Sequence, residues 1–225
     1  MTENRVGDKV SDALSSYLNE DNIKRSKDGV EYHPLIPFLP ENGKVLFLGS
    51  FPPQRKRWCM DFYYPNFIND HRRIEGLVFF GDKNYFVDED NKTFKLPLII
   101  DFLHEKGIGF FDTSYAIRRL NDNAMDKFLK VVESTDIQKL IKQMPQLRTI
   151  VTTGEKATKT ICEHLNIDDF PKVGTFVKIP QLVNMNQEQI CLYRLPSSSR
   201  AYPLSLQKKA EAYQKMFKTF GLIEN

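Results

Sequence analysis

Residues 45–53 read Val-Leu-Phe-Leu-Gly-Ser-Phe-Pro-Pro, an apolar run that ends in a tight turn beginning at Gly49. Four consecutive apolar residues followed by turn residues are typical of a strand that is buried on both faces. Residues 194–200 read Arg-Leu-Pro-Ser-Ser-Ser-Arg and follow a second apolar run at 189–195. Ligands of open α/β sheets bind outside the carboxyl ends of the strands. We therefore expect these two loops to form the mouth of one pocket.

Outside these loops, the sequence pattern alternates strands with helices. Apolar runs predict strands at 45–48, 108–111, 149–151, 176–182 and 189–195, the last two as a hairpin around a polar turn. Apolar residues at helical spacing predict helices at 96–106, 137–144, 154–165 and 206–217. This alternation is typical of an α/β protein with a mostly parallel sheet flanked by helices.

The N-terminal region has a different pattern. Its apolar residues recur every fourth position, at Val6, Val10, Leu14 and Leu18, which predicts one amphipathic helix. Residues 20–31 are polar and charged, and three prolines between 33 and 40 exclude a regular helix there. We therefore expect an N-terminal helical arm at 1–32 and one larger domain at 33–225.

The composition is that of an ordinary globular protein: 225 residues, 41% hydrophobic and 27% charged. A net charge of +3 permits a nucleic-acid partner without requiring one. The three cysteines are too widely spaced for a disulfide framework, and the four histidines are too scattered for a metal site. No apolar run reaches membrane length and the first 20 residues are polar and acidic, so we expect a cytoplasmic protein without membrane contact, metal or other cofactor.

Aromatic residues are concentrated between Trp58 and Phe94, where arginines and asparagines are interleaved with them. Such a segment can stack bases and hold phosphates, or it can form an aromatic core beneath a long loop. Basic clusters at 55–57, 72–73 and 118–119 fit phosphate contacts or a solvated surface equally well.

Several of these motifs, in this order, resemble the uracil-DNA glycosylase superfamily. The run Gly49-Ser50-Phe51-Pro52-Pro53 is similar to the first motif of that superfamily, and the loop at 196–200 is similar to the second. The Leu-Pro-Ser-Ser-Ser run resembles the thymine-DNA glycosylase group. The stretches at 63–69 and 111–113 resemble the hypoxanthine-DNA glycosylase branch.

The resemblance implies a fold and an activity. The fold is three-layer α/β/α, with a central, mostly parallel four-stranded sheet. The activity is that of a monomeric, monofunctional DNA repair glycosylase. Such an enzyme flips a deaminated base, hypoxanthine or uracil, out of DNA and hydrolyses its N-glycosidic bond. The alternative is a member of the same fold that binds nucleic acid or nucleobase without catalysis. A nucleotide- or phosphoester-processing enzyme is a third hypothesis, but the chain has neither a glycine-rich phosphate motif nor clustered carboxylates for Mg²⁺.

The resemblance also assigns candidate catalytic residues. Many members of the superfamily carry Asn, Asp or Glu where this chain has Phe51, but the hypoxanthine branch lacks that residue. The essential asparagine of that branch lies downstream of its Tyr-Tyr pair, which matches Asn69 here, with Asn66 as the second choice. Asp112 is the candidate general base because it lies at the end of a strand. All three side chains could instead serve as turn or cap residues.

Two further sets of residues complete the expected site. The base pocket is expected to use the backbone at Gly49 and Ser50, with Phe51 or Tyr64 stacked on the base. The DNA-binding loop is expected to comprise Pro196, Ser197, Ser198, Ser199 and Arg200. Its serines would hold phosphates, and Ser199 and Arg200 would lie at the wedge. Serine-rich loops are also common turns. His71, two residues after Asn69, could touch DNA, but we expect it to be an ordinary surface residue.

Overall fold

The computed structural model describes residues 17–120 and 128–224. Most of the helix predicted from Val6 to Leu18 therefore lies outside the described residues. The described strands are β1 (Val30–Tyr32), β2 (Val45–Gly49), β3 (Val87–Asp88), β4 (Thr93–Phe94), β5 (Ile108–Asp112), β6 (Ser114–Arg119), β7 (Leu129–Ser134), β8 (Thr149–Thr153), β9 (Thr175–Val183) and β10 (Gln189–Leu195). The described helices are α1 (Glu20–Arg25), α2 (His71–Phe80), α3 (Leu96–Lys106), α4 (Ile137–Ile141), α5 (Glu155–Leu165) and α6 (Leu206–Thr219).

The central sheet has five strands in the order β5-β2-β8-β10-β9. The first four are parallel, and β9 pairs with β10 in the antiparallel direction. The α/β class and the mostly parallel sheet are confirmed, but the expected count of four strands is one too few. The additional strand arises because the predicted hairpin places β9 directly beside β10, at the edge of the sheet.

Both faces of the sheet are covered. All four residues of β2 from Val45 to Leu48 are fully buried, although alternate residues of a strand point to opposite faces. On one face, the ring of Phe47 lies 6.2 Å from that of Tyr213 and 6.0 Å from that of Phe217, both on α6. This continuous burial is the pattern that the apolar run at 45–48 predicts.

The parallel strands end in register at one edge. Gly49, at the end of β2, pairs with Asp112, at the end of β5. On the other side of β2, Leu48 pairs with Thr152, and Leu195 of β10 pairs with Thr153. The loops that follow β2, β5, β8 and β10 therefore leave the sheet together, as expected for the two motif loops.

Local sequence signals fix the helix ends that were predicted. Helix α3 covers the predicted residues and ends at Gly107, whose φ of 66° requires a left-handed conformation. Helices α4 and α6 are preceded by the capping residues Asp136 and Ser205, whose side chains accept hydrogen bonds from Lys139 N and Lys208 N. Helix α4 ends at Ile141, three residues before its predicted end.

A second, antiparallel sheet with the order β1-β6-β7 was not predicted, because its strands contain arginines, glutamates and serines rather than apolar runs. Helix α1 is held to this sheet by Asn22, whose side-chain amide donates to His33 O at 3.0 Å, just after β1, and to the Tyr115 hydroxyl of β6 at 3.1 Å. None of the helices described here is long and apolar enough to span a membrane.

Candidate functional site

A cavity of ≈230 Å³ opens at the carboxyl ends of the parallel strands. Its walls come from the loop after β2, the aromatic segment before α2, the end of β8 and the loop after β10. The lining residues are Leu35, Gly49, Ser50, Phe51, Pro52, Pro53, Arg57, Tyr63, Tyr64, Pro65, Asn66, Asn69, Asp112, Thr153, Ser197, Ser198 and Ser199. The two motif loops thus form one pocket mouth, as the sequence indicated.

A buried carboxylate–imidazole pair lies against this cavity. Oδ2 of Asp112 is 2.9 Å from Nε2 of His33, whose ring is fully buried. Asp112 is at the end of β5, while His33 follows β1, so the pair joins the two sheets. A Cβ atom at position 49 would collide with Oδ1 of Asp112, so glycine is required at the end of β2.

The environment of Asp112 perturbs its titration. Burial raises the pKa of this carboxyl above its ordinary value, although the hydrogen bond from His33 opposes the rise. Nδ1 of His33 lies 2.9 Å from Leu35 O and 3.2 Å from Leu35 N, which fixes the ring by its second nitrogen. A carboxylate held in this way, beside a cavity, is suited to proton transfer or to stabilising positive charge.

Tyr64 forms an aromatic wall of the cavity. Its ring stacks on His71 with centroids 3.7 Å apart and planes at 4°, and its hydroxyl lies 2.9 Å from Thr153 Oγ1. His71 is fully buried, so the expectation that it lies at the surface was wrong: its ring covers one face of Tyr64. These two contacts fix the position and the plane of the Tyr64 ring.

Behind Tyr64 lies a sealed cluster of polar side chains at the start of α2. Nε2 of His71 is 3.2 Å from Oε1 of Glu75 without hydrogen-bond geometry, and Nη1 of Arg72 donates to Oε2 of Glu75 at 2.6 Å. Burial would raise the pKa of Glu75, but Arg72 and His71 outweigh it and hold this pKa below its ordinary value. Burial lowers the pKa of His71 below its ordinary value, although the neighbouring Glu75 carboxylate opposes the fall.

Phe51 occupies the other side of the cavity. Its ring meets His33 edge-on, with centroids 5.3 Å apart, and packs with Ile117 and Leu129. Arg119 holds the first-motif loop from outside by donating to Pro52 O at 2.7 Å, and it is paired with Glu31. Phe51 therefore contributes an apolar surface and shields the His33–Asp112 pair from solvent.

The two asparagines line the cavity and also shape the turn before α2. Oδ1 of Asn66 accepts from Ile68 N at 3.1 Å, and Oδ1 of Asn69 accepts from His71 N at 2.9 Å. Among the described residues, nothing hydrogen-bonds Nδ2 of Asn69, which leaves that amide group free to donate. The turn role and a role in the cavity are therefore compatible.

The serine loop is clamped to the turn that carries Asn69. Asp70 N donates to Ser198 O at 3.0 Å, and the Asp70 carboxylate accepts from Arg200 Nε and from Lys209 Nζ, each at 3.0 Å. Buried Lys209 also donates to Ser199 O at 2.7 Å. This clamp fixes the distance between the two lips of the cavity.

Most of the candidate residues meet at this cavity. The exceptions are Pro196 and Arg200, which do not line it; Arg200 points toward Asp70 instead. Arg57, from the first basic cluster, does line it. Arg72 is fully buried and Arg119 is paired with Glu31, so neither is a surface phosphate contact as their clusters suggested.

Sequence reasoning missed His33, Tyr63 and Thr153. His33 is 79 residues away from Asp112 in the chain, and no local spacing connects them. Tyr63 was quoted only as part of a motif, yet its hydroxyl donates to Ile36 O at 2.7 Å and its ring lines the cavity. Thr153 could have been found as the last residue of a buried strand. No cluster of potential metal ligands occurs in the part of the chain that is described.

Comparison with solved structures shows proteins of similar fold. No known family model matches the chain, and no curated protein matches it in sequence. Its fold is similar to that of a proposed uracil DNA glycosylase from Methanosarcina acetivorans, determined by solution NMR, with a TM-score of 0.55. The two sequences are 24% identical, and the likeness covers 85% of this chain and 99% of that one. This chain therefore shares the α/β fold of that structure.

Proposed function

We propose that the protein is a DNA glycosylase that removes a deaminated base, hypoxanthine or uracil, from DNA. The observation that carries this proposal is the buried Asp112–His33 pair at a cavity between an aromatic wall and a serine loop. The structural likeness to a proposed uracil DNA glycosylase supports the same class of reaction. The three-layer arrangement, the domain at 33–225 and the monomeric state remain parts of this proposal.

The cavity suits one nucleobase. Its volume of ≈230 Å³ is below the range of about 300–1,000 Å³ for pockets that take drug-sized ligands. In our proposal, the free face of Tyr64 stacks on the base, because His71 covers the other face. The backbone at Gly49, Ser50 and Phe51 then meets a base carbonyl, at a point where glycine allows close approach.

The chemistry assigns separate roles to Asp112 and Asn69. As the bond between C1′ and the base breaks, its electron pair goes to the base, and positive charge develops on the sugar. The Asp112 carboxylate stabilises that charge and takes a proton from the water that forms the new bond to C1′. Nδ2 of Asn69 donates a hydrogen bond to the departing base. Asp112 then releases to solvent the proton it took from water, and the anionic base takes up one proton from solvent. His33 is a positioning residue that holds Asp112.

A catalytically inactive binding protein of the same fold is the second candidate. The observation in its favour is Phe51, which places an apolar ring where a polar group stands in many members of the superfamily. Such a protein would bind DNA with an affinity that falls as salt rises, but it would release no base.

Base release distinguishes these two candidates. The test uses duplexes that carry one uracil, hypoxanthine, xanthine or G·T mismatch, in the presence of a chelator, followed by alkaline cleavage of abasic sites. We expect cleavage at hypoxanthine or uracil, and loss of that cleavage in Asn69→Ala but not in Asn186→Ala. Asn186 is the matched control because it is exposed in the turn between β9 and β10. DNA binding without cleavage of any substrate would favour the inactive alternative.

A further inference from the structure

Ile68 is an exposed apolar side chain at the lip of the cavity. Its exposed fraction is 56%, although it lies between two residues that line the cavity, Asn66 and Asn69. A single exposed isoleucine is not unusual in itself. Its position and its charged surroundings make this one informative.

The backbone around Ile68 is fixed. Ile68 N donates to Asn66 Oδ1 at 3.1 Å, and Asn69 N donates to Asn66 O at 2.8 Å. The preceding residue, Phe67, is anchored inside, with Arg73 4.8 Å above its ring and the ring of Phe94 5.5 Å away. The turn therefore presents Ile68 outward from an ordered support.

A basic depression adjoins this turn, and none of the residues that line it lines the cavity. Ile68 lines this depression together with Arg200, Lys83 and Arg73. Lys83 is exposed and the Arg200 side chain is half-exposed, while Asp70 and Glu89 provide the acidic groups there. An apolar tip flanked by exposed cations matches a DNA duplex, which offers stacked bases between two rows of phosphates.

We propose that Ile68 is the wedge that enters the base stack of duplex DNA and fills the gap left by the flipped nucleotide. Arg200 and Lys83 hold phosphates beside it. This inference rests on the proposed glycosylase function and replaces the wedge role expected of Ser199 and Arg200. Nε of Arg200 donates to Asp70, and the Ser199 hydroxyl accepts from Ala201 N at 3.2 Å, so neither side chain presents an apolar tip.

The wedge should be needed for duplex DNA and not for single-stranded DNA. Taking a base out of a duplex requires unstacking and unpairing, whereas a base in a single strand is already accessible. Loss of the wedge should therefore impair excision from duplex DNA and spare excision from single strands. The expected loss on duplex is about 10- to 100-fold, the effect of no longer burying one aliphatic side chain.

The test compares single-turnover base release by the wild type, Ile68→Ala, Ile68→Leu and Met185→Ala. Each protein is given the same deaminated base in duplex and in single-stranded DNA. Ile68→Leu keeps an apolar tip, and Met185→Ala removes an exposed apolar side chain elsewhere, at 74% exposure. We expect only Ile68→Ala to lose duplex activity, with its single-strand rate within about twofold of the wild type.

Equal losses on both substrates, or no loss on either, would overturn the wedge. If the wild type releases no base at all, the proposed function fails instead. The wedge is then tested by binding alone, with a duplex that carries a tetrahydrofuran abasic site next to 2-aminopurine. A rise in 2-aminopurine fluorescence with wild type that is lost in Ile68→Ala supports the wedge, and an equal or absent rise in both contradicts it.

Discussion

Two histidine–carboxylate pairs lie near the cavity, and only the His33–Asp112 pair has access to it. The His33–Asp112 pair lines it through the carboxylate, whereas both side chains of the His71–Glu75 pair are fully buried. The perturbed pKa values also differ in direction. Burial raises the pKa of Asp112, while the Arg72 guanidinium and His71 overcome burial and lower that of Glu75.

The comparison shows that a histidine beside a carboxylate does not by itself mark a reactive site. Glu75 is neutralised by Arg72 and supports the Tyr64 ring through His71, a structural role. No lysine or arginine pairs with Asp112 among the described residues, and Asp112 faces a cavity large enough for one base. The two pairs therefore differ in two respects. The Asp112 carboxylate has access to the cavity, and its charge is less fully compensated than that of Glu75.

The largest expected effect comes from a substitution that disrupts the His33–Asp112 pair and leaves the His71–Glu75 pair intact. Asp112→Asn should lower the single-turnover rate of base release by about 10²–10⁴-fold, because it removes the proton acceptor. The raised pKa of Asp112 means that its charge costs stability as the pH rises, so the Tm of this variant at neutral pH should not fall. An unchanged rate would remove Asp112 from the mechanism.

A substitution in the sealed His71–Glu75 pair should instead destabilise the fold. Glu75→Gln leaves the buried Arg72 charge uncompensated, and the free energy of unfolding should fall by about 3–5 kcal/mol. Urea denaturation measures this, with the exposed Glu211→Gln as the control. Stability that is unchanged in Glu75→Gln would mean that the sealed cluster has no structural role.

Lowering the pH should act differently through the two carboxyls. It should reduce the rate of base release through Asp112 and the free energy of unfolding through Glu75. The rate of base release should decline on acidification at a pH above 3.8, the ordinary pKa of aspartate, because the pKa of Asp112 is raised and only its carboxylate is active. Glu75, with a lowered pKa, contributes stability that is lost only as pH falls below 4.5. Rate and unfolding profiles between about pH 3 and 8 test both. An acid limb that persists in Asp112→Asn would assign it to another group.

The smallest expected effect comes from Arg200, which lies beside the cavity. Arg200→Ala should weaken DNA binding only a few-fold and reduce the salt dependence of binding by about one phosphate contact. The loss should be the same for duplex and single strands, because Arg200 is tied to Asp70 and does not form the wedge. Fluorescence anisotropy at several salt concentrations measures this slope. A loss confined to duplex would restore Arg200 as the wedge.

The sequence was sufficient for the parallel sheet because β2 and β5 are buried on both faces, and their continuous burial leaves runs without charged residues at 45–48 and 108–111. It did not predict α2, since the buried face of that helix consists largely of His71, Arg72 and Glu75 rather than apolar residues. The small sheet was missed because its strands pair through the backbone and carry charged side chains.

Only part of the site could be predicted from the sequence. The motif loops brought most lining residues together because parallel strands end at one edge. His71 and Glu75 are one helical turn apart, a spacing visible in the sequence, yet that pair is sealed. The pair at the cavity joins His33 to Asp112 across two sheets, and only tertiary structure places them together.

The location of the extruded base tests the central claim most directly. We would determine the crystal structure of the Asp112→Asn variant bound to the duplex that the wild type cleaves best. The expected result is a flipped base in the cavity, stacked on Tyr64 and within hydrogen-bond distance of Asn69, with C1′ facing position 112. A base that stays in the duplex, or DNA bound to a surface away from this cavity, would contradict the claim.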